Sequence, residues 1–222
     1  MMVFAIWMWR NKVRLGKTAI PLRQIPSSAY DALQEFHQLH LTHATIPRIA
    51  RVVCWRPPPA TCVKANFDEG VFSQDGLVGI GIIIRNEQGL VMVALSQQIP
   101  LPTSVEMVEV VAARRALVFA KELGFDRVIV EGDSASTITS INGGHMDHLA
   151  LGHVLLDIKC LFSSFSYISV KHINREGNYV AHKLARHAAR FPFLVWMESV
   201  PPDILEVYQL DLLRMQKYDH YP

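Results

Sequence analysis

From residue 63 onwards, apolar residues recur at spacings that change along the chain. Period-two alternation and short apolar runs predict strands, whereas apolar positions three and four residues apart predict helices. The predicted strands are Val63–Asp68, Val78–Arg85, Leu90–Gln98, Arg127–Glu131 and Ser166–His172, and the predicted helices are Val105–Leu123, Ser134–Ile141, Leu151–Phe162 and Asn178–Ala189. A hairpin turn at Asn86–Gly89 joins the second and third strands.

This order of elements predicts an α/β fold. Three antiparallel strands followed by βα units give a mixed five-stranded sheet with helices on both faces. In such sheets the first strand lies near the centre, and strand ends converge with helix starts. We therefore expect a functional site at the ends of the central strands.

The prolines Pro57–Pro59 mark a boundary, because consecutive prolines continue neither a helix nor an interior strand. Residues 1–56 are predicted to be a basic lead-in that is partly helical or disordered, with helical signals at Ser27–Phe36. Residues 57–190 are predicted to be the compact domain. Residues 191–222 are predicted to be a C-terminal tail.

The chain has 222 residues, of which 50% are hydrophobic, enough for a substantial core. Its formal net charge of +2 is unevenly distributed. Residues 1–62 hold eight Lys or Arg and two acids, which leaves −4 on residues 63–222. A nucleic-acid partner of the main domain would therefore need a local basic patch or metal ions to offset its phosphates.

The three cysteines are an odd number without CxxC spacing, which argues against a disulfide framework or a zinc site and favours a reducing compartment. No apolar stretch is long enough to span a membrane. The apolar start is followed by basic residues, the reverse of the order in a signal peptide. We expect a cytoplasmic or nuclear protein that is not secreted and has no membrane partner.

Three acids lie at the ends of predicted elements: Asp68, Glu109 and Asp133. Carboxylates gathered from separate elements repel one another unless metal ions or protons offset the repulsion. Taken singly, each has an ordinary explanation. Asp133 precedes Ser134 and could help to start a helix, and Glu109 could be a solvated helix residue, with Glu106 one turn earlier as its competitor.

Six blocks of residues, in order and on the expected elements, resemble the ribonuclease H family. The blocks are Trp55–Pro58, Lys64–Asp68, Gly79–Asn86, Glu109–Leu117, Val130–Ser134 and Asn174–Ala185. More narrowly, they resemble plant ribonuclease H-like domains related to the C-terminal part of non-LTR retroelement reverse transcriptases. The resemblance covers about residues 55–190.

The resemblance implies a monomeric endonuclease that hydrolyses the RNA strand of RNA–DNA hybrids with two Mg²⁺ ions. Asp68 would bridge both ions, and Glu109 and Asp133 would each favour one. Contacts to the RNA strand and its 2′-hydroxyl groups are implied for three further positions, and proton transfer during product release for a histidine. Those three positions are Glu69, Gly70 and Asn178, and the histidine is His172.

Two residues depart from the family pattern. His182 stands where active members carry a fourth carboxylate, and Glu69 stands where the family has glycine. Imidazole suits Mn²⁺ better than Mg²⁺, so His182 predicts weaker binding of the second metal and slower or Mn²⁺-dependent cleavage. On an amphipathic helix, His182 has an ordinary alternative as a surface histidine.

Three functions are compatible with these residues. The first is a metal-dependent nuclease acting on hybrids. The second is a retroelement-derived domain that binds nucleic acid but cleaves weakly or not at all, and the third is a protein-interaction scaffold docked through its basic N-terminal segment. Lys183, Arg186 and Arg190 form either a solvated helix face or a set of phosphate contacts.

Overall fold

The computed structural model describes residues 6, 9–10, 12–14, 16, 18–31, 54–102, 104–143 and 149–218. Contacts divide the chain into two units, Met1–Val52 and Val53–Pro222. In the first unit, a 3₁₀ helix at Leu22–Gln24 leads into a helical segment over residues 25–31. Part of the helix predicted at Ser27–Phe36 is therefore observed, and the rest lies outside the described residues.

The described residues of the second unit form six strands and five α-helices. The strands are β1 (Val63–Phe72), β2 (Leu77–Arg85), β3 (Val91–Pro100), β4 (Arg127–Gly132), β5 (Tyr167–His172) and β6 (Phe193–Met197). The helices are α1 (Val105–Glu122), α2 (Ala135–Gly143), α3 (Leu149–Phe162), α4 (Tyr179–His187) and α5 (Leu205–Tyr218). A 3₁₀ turn, Arg175–Asn178, precedes α4.

All six strands form one sheet in the order β5-β4-β1-β2-β3-β6. Strands β1, β2 and β3 are antiparallel, whereas β4 pairs parallel with β1 and β5 parallel with β4. The predicted mixed sheet with a central first strand is confirmed. The predicted count of five strands is wrong, because Phe193–Met197 adds a strand antiparallel to β3.

Apolar side chains fill both faces of the sheet. One core packs α1, α2 and α3 against the sheet through residues such as Phe67, Leu95, Leu117 and Ile158. The second core packs α4 and the segment leading into α5 through Ile83, Ala94, Val180, Leu184 and Ile204. The prediction of helices on both faces is therefore confirmed.

Two glycines of β2 allow α4 to lie directly on the sheet. A Cβ atom at Gly79 would come within 2.1 Å of the Ala185 carbonyl oxygen, and one at Gly81 within 2.2 Å of the Ala181 carbonyl oxygen. Any larger residue would push the helix away. Because Gly81 pairs with Asp68 in the sheet, this close approach brings α4 beside Asp68. The first strand continues to Phe72, so the prediction that it ends at Asp68 is wrong.

A buried polar network joins the sheet to α5. The Trp55 indole Nε1 donates to Asn66 Oδ1 at 2.7 Å, and the Arg85 guanidinium lies 3.7 Å from the centre of the Trp55 ring. Arg85 also donates to Asn66 Oδ1 and forms an ion pair with Asp211 of α5 at 3.0 Å. These contacts give Trp55 and Arg85 a structural role and hold α5 against the sheet.

No helix among the described residues combines the length and the apolar character needed to cross a bilayer.

Candidate active site

The register of two parallel strands brings Asp68 and Asp133 to the same edge of the sheet. Asn66 of β1 pairs with Glu131 of β4, and each aspartate lies two residues further along its chain. Burial raises the pKa of Asp68 to about 6, and the negative charge of Asp133 is the next largest cause. The two carboxylates are thus electrostatic neighbours, as their positions at the strand ends predicted.

Asp68 is held by one hydrogen bond on each carboxylate oxygen. Its Oδ1 accepts the backbone N–H of Glu69 at 2.9 Å, and its Oδ2 accepts Nδ1–H of His182 at 2.8 Å. The Asp68 side chain is only 6% exposed. His182 therefore lies at the predicted fourth position of the site, and there it orients Asp68.

Glu109 of α1 faces the start of α2. Its Oε2 accepts hydrogen bonds from the hydroxyl groups of both Ser134 and Thr137. Ser134 also accepts from the backbone N–H of Thr137 at 3.3 Å and so caps the N-terminus of α2. The two hydroxyl partners of Glu109 were not predicted, although two hydroxyl residues three positions apart after Asp133 are a signal that could have suggested them.

Glu69 belongs electrostatically to the same group of acids. Burial raises its pKa to about 8, and the charges of Asp68, Glu109 and Asp133 contribute in that order. A glutamate in place of the family's glycine can either crowd a nucleic-acid strand or add a carboxylate to the site. Its position among the three acids favours the second alternative, with the carboxyl protonated at neutral pH in the absence of a cation.

The donor chemistry of these acids fits a hard divalent cation, since carboxylate oxygens are its preferred protein ligands and their repulsion is uncompensated. Within the described ranges, however, no three His, Cys, Asp or Glu side chains are grouped so that they could hold a metal ion. Glu109 is turned towards the hydroxyls of α2 and Asp68 towards His182. A cation bound by Asp68, Glu109 and Asp133 would compete with those hydroxyls for Glu109.

The structure gives two predicted nucleic-acid contacts a packing role. A Cβ atom at Gly70 would lie 3.3 Å from Cδ of Arg186, so glycine here lets α4 approach β1. Asn178 is 1% exposed, and its Nδ2 donates to the Phe67 carbonyl at 2.8 Å. Both positions border the site, and their contact with nucleic acid stays a prediction.

His172 lies at the end of β5, where it pairs with Gly132 of β4. Its Nε2 is 3.1 Å from the backbone carbonyl of Asp133, and its side chain is exposed. The histidine predicted for proton transfer is therefore next to an acid of the site and open to solvent.

Three antiparallel strands and two parallel ones, with an acid within β1 and another directly after β4, are the arrangement of a ribonuclease H-like fold. The chain belongs to the reverse transcriptase-like family, whose model matches residues 66–188, more than half of the chain. That range contains every residue of the predicted site. The predicted ribonuclease H-like resemblance is thereby confirmed, while the closer relation to plant and non-LTR retroelement proteins stays a prediction.

Solved ribonucleases H share this architecture. The ribonuclease H1 of Halobacterium salinarum NRC-1 is 24% identical, with a TM-score of 0.54 over 58% of this chain and 97% of that chain. LC11-RNase H1, isolated from compost by a metagenomic approach, is 25% identical, with a TM-score of 0.52 over 58% and 95%. Its complex with an RNA/DNA hybrid matches at 24% identity and a TM-score of 0.51, over 56% and 94%. No curated protein matches the chain.

Proposed function

We propose that this chain is a ribonuclease H-type domain that binds RNA–DNA hybrids and hydrolyses their RNA strand. The observation that carries the proposal is the meeting of Asp68, within β1, and Asp133, just after β4, on neighbouring strands. Glu69 lies within electrostatic range of both aspartates and of Glu109. Family membership and the hybrid bound by LC11-RNase H1 support the substrate class.

Asp68, Glu109 and Asp133 would hold divalent cations, Mg²⁺ or Mn²⁺. Bound there, such ions supply an activated water and offset charge on the leaving 3′-oxygen. The protein's own contribution is to fix the acids in place. The Glu69 N–H and the His182 imidazole orient Asp68, and the hydroxyls of α2 restrain Glu109.

His182 makes the site less negative than one with four carboxylates. Its Nδ1–H is committed to Asp68, which leaves only Nε2 for a further partner. An imidazole at this position favours Mn²⁺ over Mg²⁺. We therefore propose that cleavage is slow in Mg²⁺ and faster in Mn²⁺.

Cleavage of a labelled RNA–DNA hybrid, measured in Mg²⁺ and separately in Mn²⁺, tests the proposal. Wild type should cleave, Asp68→Asn should not, and His182→Asp should raise the rate in Mg²⁺. Asp157→Asn is the matched control, since that exposed acid pairs with Arg114 on the surface. Absence of cleavage by wild type in both metals would refute the nuclease, and undiminished cleavage by Asp68→Asn would refute the site.

A second candidate is a domain that binds hybrids without cleaving them. It is favoured by the lack, within the described residues, of side chains grouped for a metal ion, and by the engagement of His182 with Asp68. The same assay separates the two. Hybrid binding by wild type, with no cleavage in either metal, would establish this alternative.

A further inference from the structure

Helix α4 follows β1 past the candidate site. Asn178, just before the helix, contacts the Phe67 carbonyl, and His182 contacts Asp68. One turn further, the Arg186 guanidinium lies 5.6 Å from the centre of the Phe72 ring. Successive turns of α4 therefore lie beside β1. A ligand strand bound along the solvent-facing side of α4 would also pass Asp68.

The outer side of α4 combines aromatic rings with cations. Tyr179 is 41% exposed and stacks on the His182 ring, with centroids 6.0 Å apart and 16° between the planes. The Lys183 ammonium lies 5.1 Å from the centre of the Tyr179 ring. Positions 179, 182, 183 and 186 share one helix face, since residues three and four apart are neighbours.

A pocket of about 340 Å³ opens on the other side of Tyr179. It is lined by Arg175, Glu176, Tyr179 and Arg214. Arg175 comes from the 3₁₀ turn before α4, and Arg214 comes from α5. Two guanidinium groups and one carboxylate leave the pocket with a net positive charge, and an aromatic ring forms its wall.

None of these four cations forms an ion pair at contact distance with an acid of the described residues, although Arg214 acts electrostatically on Asp211 of the same helix. Arg175, Lys183, Arg186 and Arg214 are absent from every ion pair there, whereas Arg85, Arg114 and Arg115 each pair with a carboxylate. Unpaired cations beside exposed aromatic faces are the combination that binds a nucleic-acid strand, because the cations contact phosphates and the rings pack on bases or sugars.

We propose that Arg175, Tyr179, Lys183, Arg186 and Arg214, the α4 strip, bind the phosphodiester backbone of one nucleic-acid strand as it passes Asp68. The inference rests on the proposed function and extends it by naming a binding surface outside the acidic site. The strip explains how residues 63–222, with their net charge of −4, can hold a polyanion. Binding through it depends on salt and not on base sequence.

Fluorescence anisotropy of a labelled hybrid, titrated with the full chain in chelator over a salt series, tests the strip without requiring cleavage. Two double variants are informative: Lys183→Gln/Arg186→Gln and Arg175→Gln/Arg214→Gln. Each should weaken binding about tenfold and reduce the slope of the logarithm of affinity against the logarithm of salt concentration by roughly one to two. Tyr179→Leu should weaken binding roughly five- to a hundredfold, the contribution of one stacked base.

Two controls separate the strip from general loss of charge or fold. Arg114→Gln/Lys121→Gln removes the same charge from α1 and should bind like wild type. Lys183→Arg/Arg186→Lys keeps the charges and should retain affinity. If the strip variants bind as tightly as the α1 control, the strip is refuted and the proposed function survives.

The two proposals fail differently. If wild type binds no nucleic acid, both are overturned. If binding depends on the strip but wild type cleaves nothing in Mg²⁺ or Mn²⁺, the strip stands and the nuclease fails.

Discussion

Nδ1 of His182 lies 2.8 Å from Oδ2 of Asp68, so the imidazole donates a hydrogen bond to the carboxylate in the middle of the central strand. A residue predicted to be a metal ligand is thus a direct partner of another predicted ligand. This hydrogen bond occupies one lone pair of the Asp68 carboxylate, which is then not available to a cation. Substitution at position 182 should therefore change both metal affinity and stability.

His182→Asp should destabilise the metal-free protein and increase its stabilisation by Mg²⁺. Two adjacent carboxylates repel each other until a cation binds between them, and each tenfold gain in affinity adds about 1.4 kcal/mol when the metal is in excess. Thermal unfolding in chelator and in Mg²⁺ measures both effects. His182→Asn is the control, and an equal Mg²⁺ shift in the two variants would contradict the prediction.

Thr137→Val should lower the free energy of unfolding in chelator by about 1–3 kcal/mol, because it removes a buried hydroxyl that donates to the Glu109 carboxylate. The loss should shrink in Mg²⁺, since a bound cation gives Glu109 another partner. Urea denaturation in both conditions measures the change. Thr139→Val is the matched control, as that exposed hydroxyl bonds only the backbone carbonyl of Ala135, and an equal loss there would contradict the role assigned to Thr137.

Stability of the metal-free protein should fall as the pH rises. Burial and neighbouring charges raise the pKa of Asp68 to about 6 and that of Glu69 to about 8. A raised pKa in the folded state contributes stability that is present below the unfolded pKa and lost as the pH rises through about 6 and then about 8. Chemical denaturation in chelator from about pH 5 to about pH 9 should show this fall.

Glu69→Gln should reduce the loss of folding stability as the pH rises through about 8. Glu87→Gln, in the exposed hairpin turn, should leave the dependence of stability on pH unchanged. Stability that rises with pH in chelator would show that the acids are not mutually repelling.

Gly81→Ala should destabilise the domain by about 3 kcal/mol or more, because its Cβ would meet the Ala181 carbonyl oxygen and the Ala185 nitrogen, each at 2.2 Å. The helix must then move away from β1 and carry His182 with it. Gly143→Ala is the control, since nothing lies within 4 Å of a Cβ atom there. Denaturation curves give the stabilities, and comparable values for the two variants would contradict the close packing of α4.

The sequence predicted most of the elements and the three acids because both depend on local signals. Strand alternation, helix periodicity and an acid at a strand end can be recognised within a few residues. The parallel pairing of β1 with β4 then brings Asp68 and Asp133 together without further information. Their mutual proximity was therefore predictable from topology alone.

The remaining features depend on contacts between distant residues. The run Phe193–Met197 is short, lacks alternation and follows Pro192, so its pairing with β3 has no local signal. The hydrogen bonds from the α2 hydroxyls to Glu109 depend on side-chain direction. In the sequence, Trp55 and Arg85 stand out only as members of the residue blocks that resemble the family. The stacking of Arg85 on the Trp55 ring and its hydrogen bond to Asn66 depend on contacts between distant residues.

The buried ion pair of Arg85 and Asp211 limits how far the chain can be truncated from its C-terminal side. The family match ends at residue 188, yet Arg85 is 1% exposed and its carboxylate partner lies more than twenty residues later. A fragment ending at the family boundary would leave a guanidinium without its counter-charge and the β3 backbone without β6. Expression of this domain alone therefore requires the chain to continue through α5.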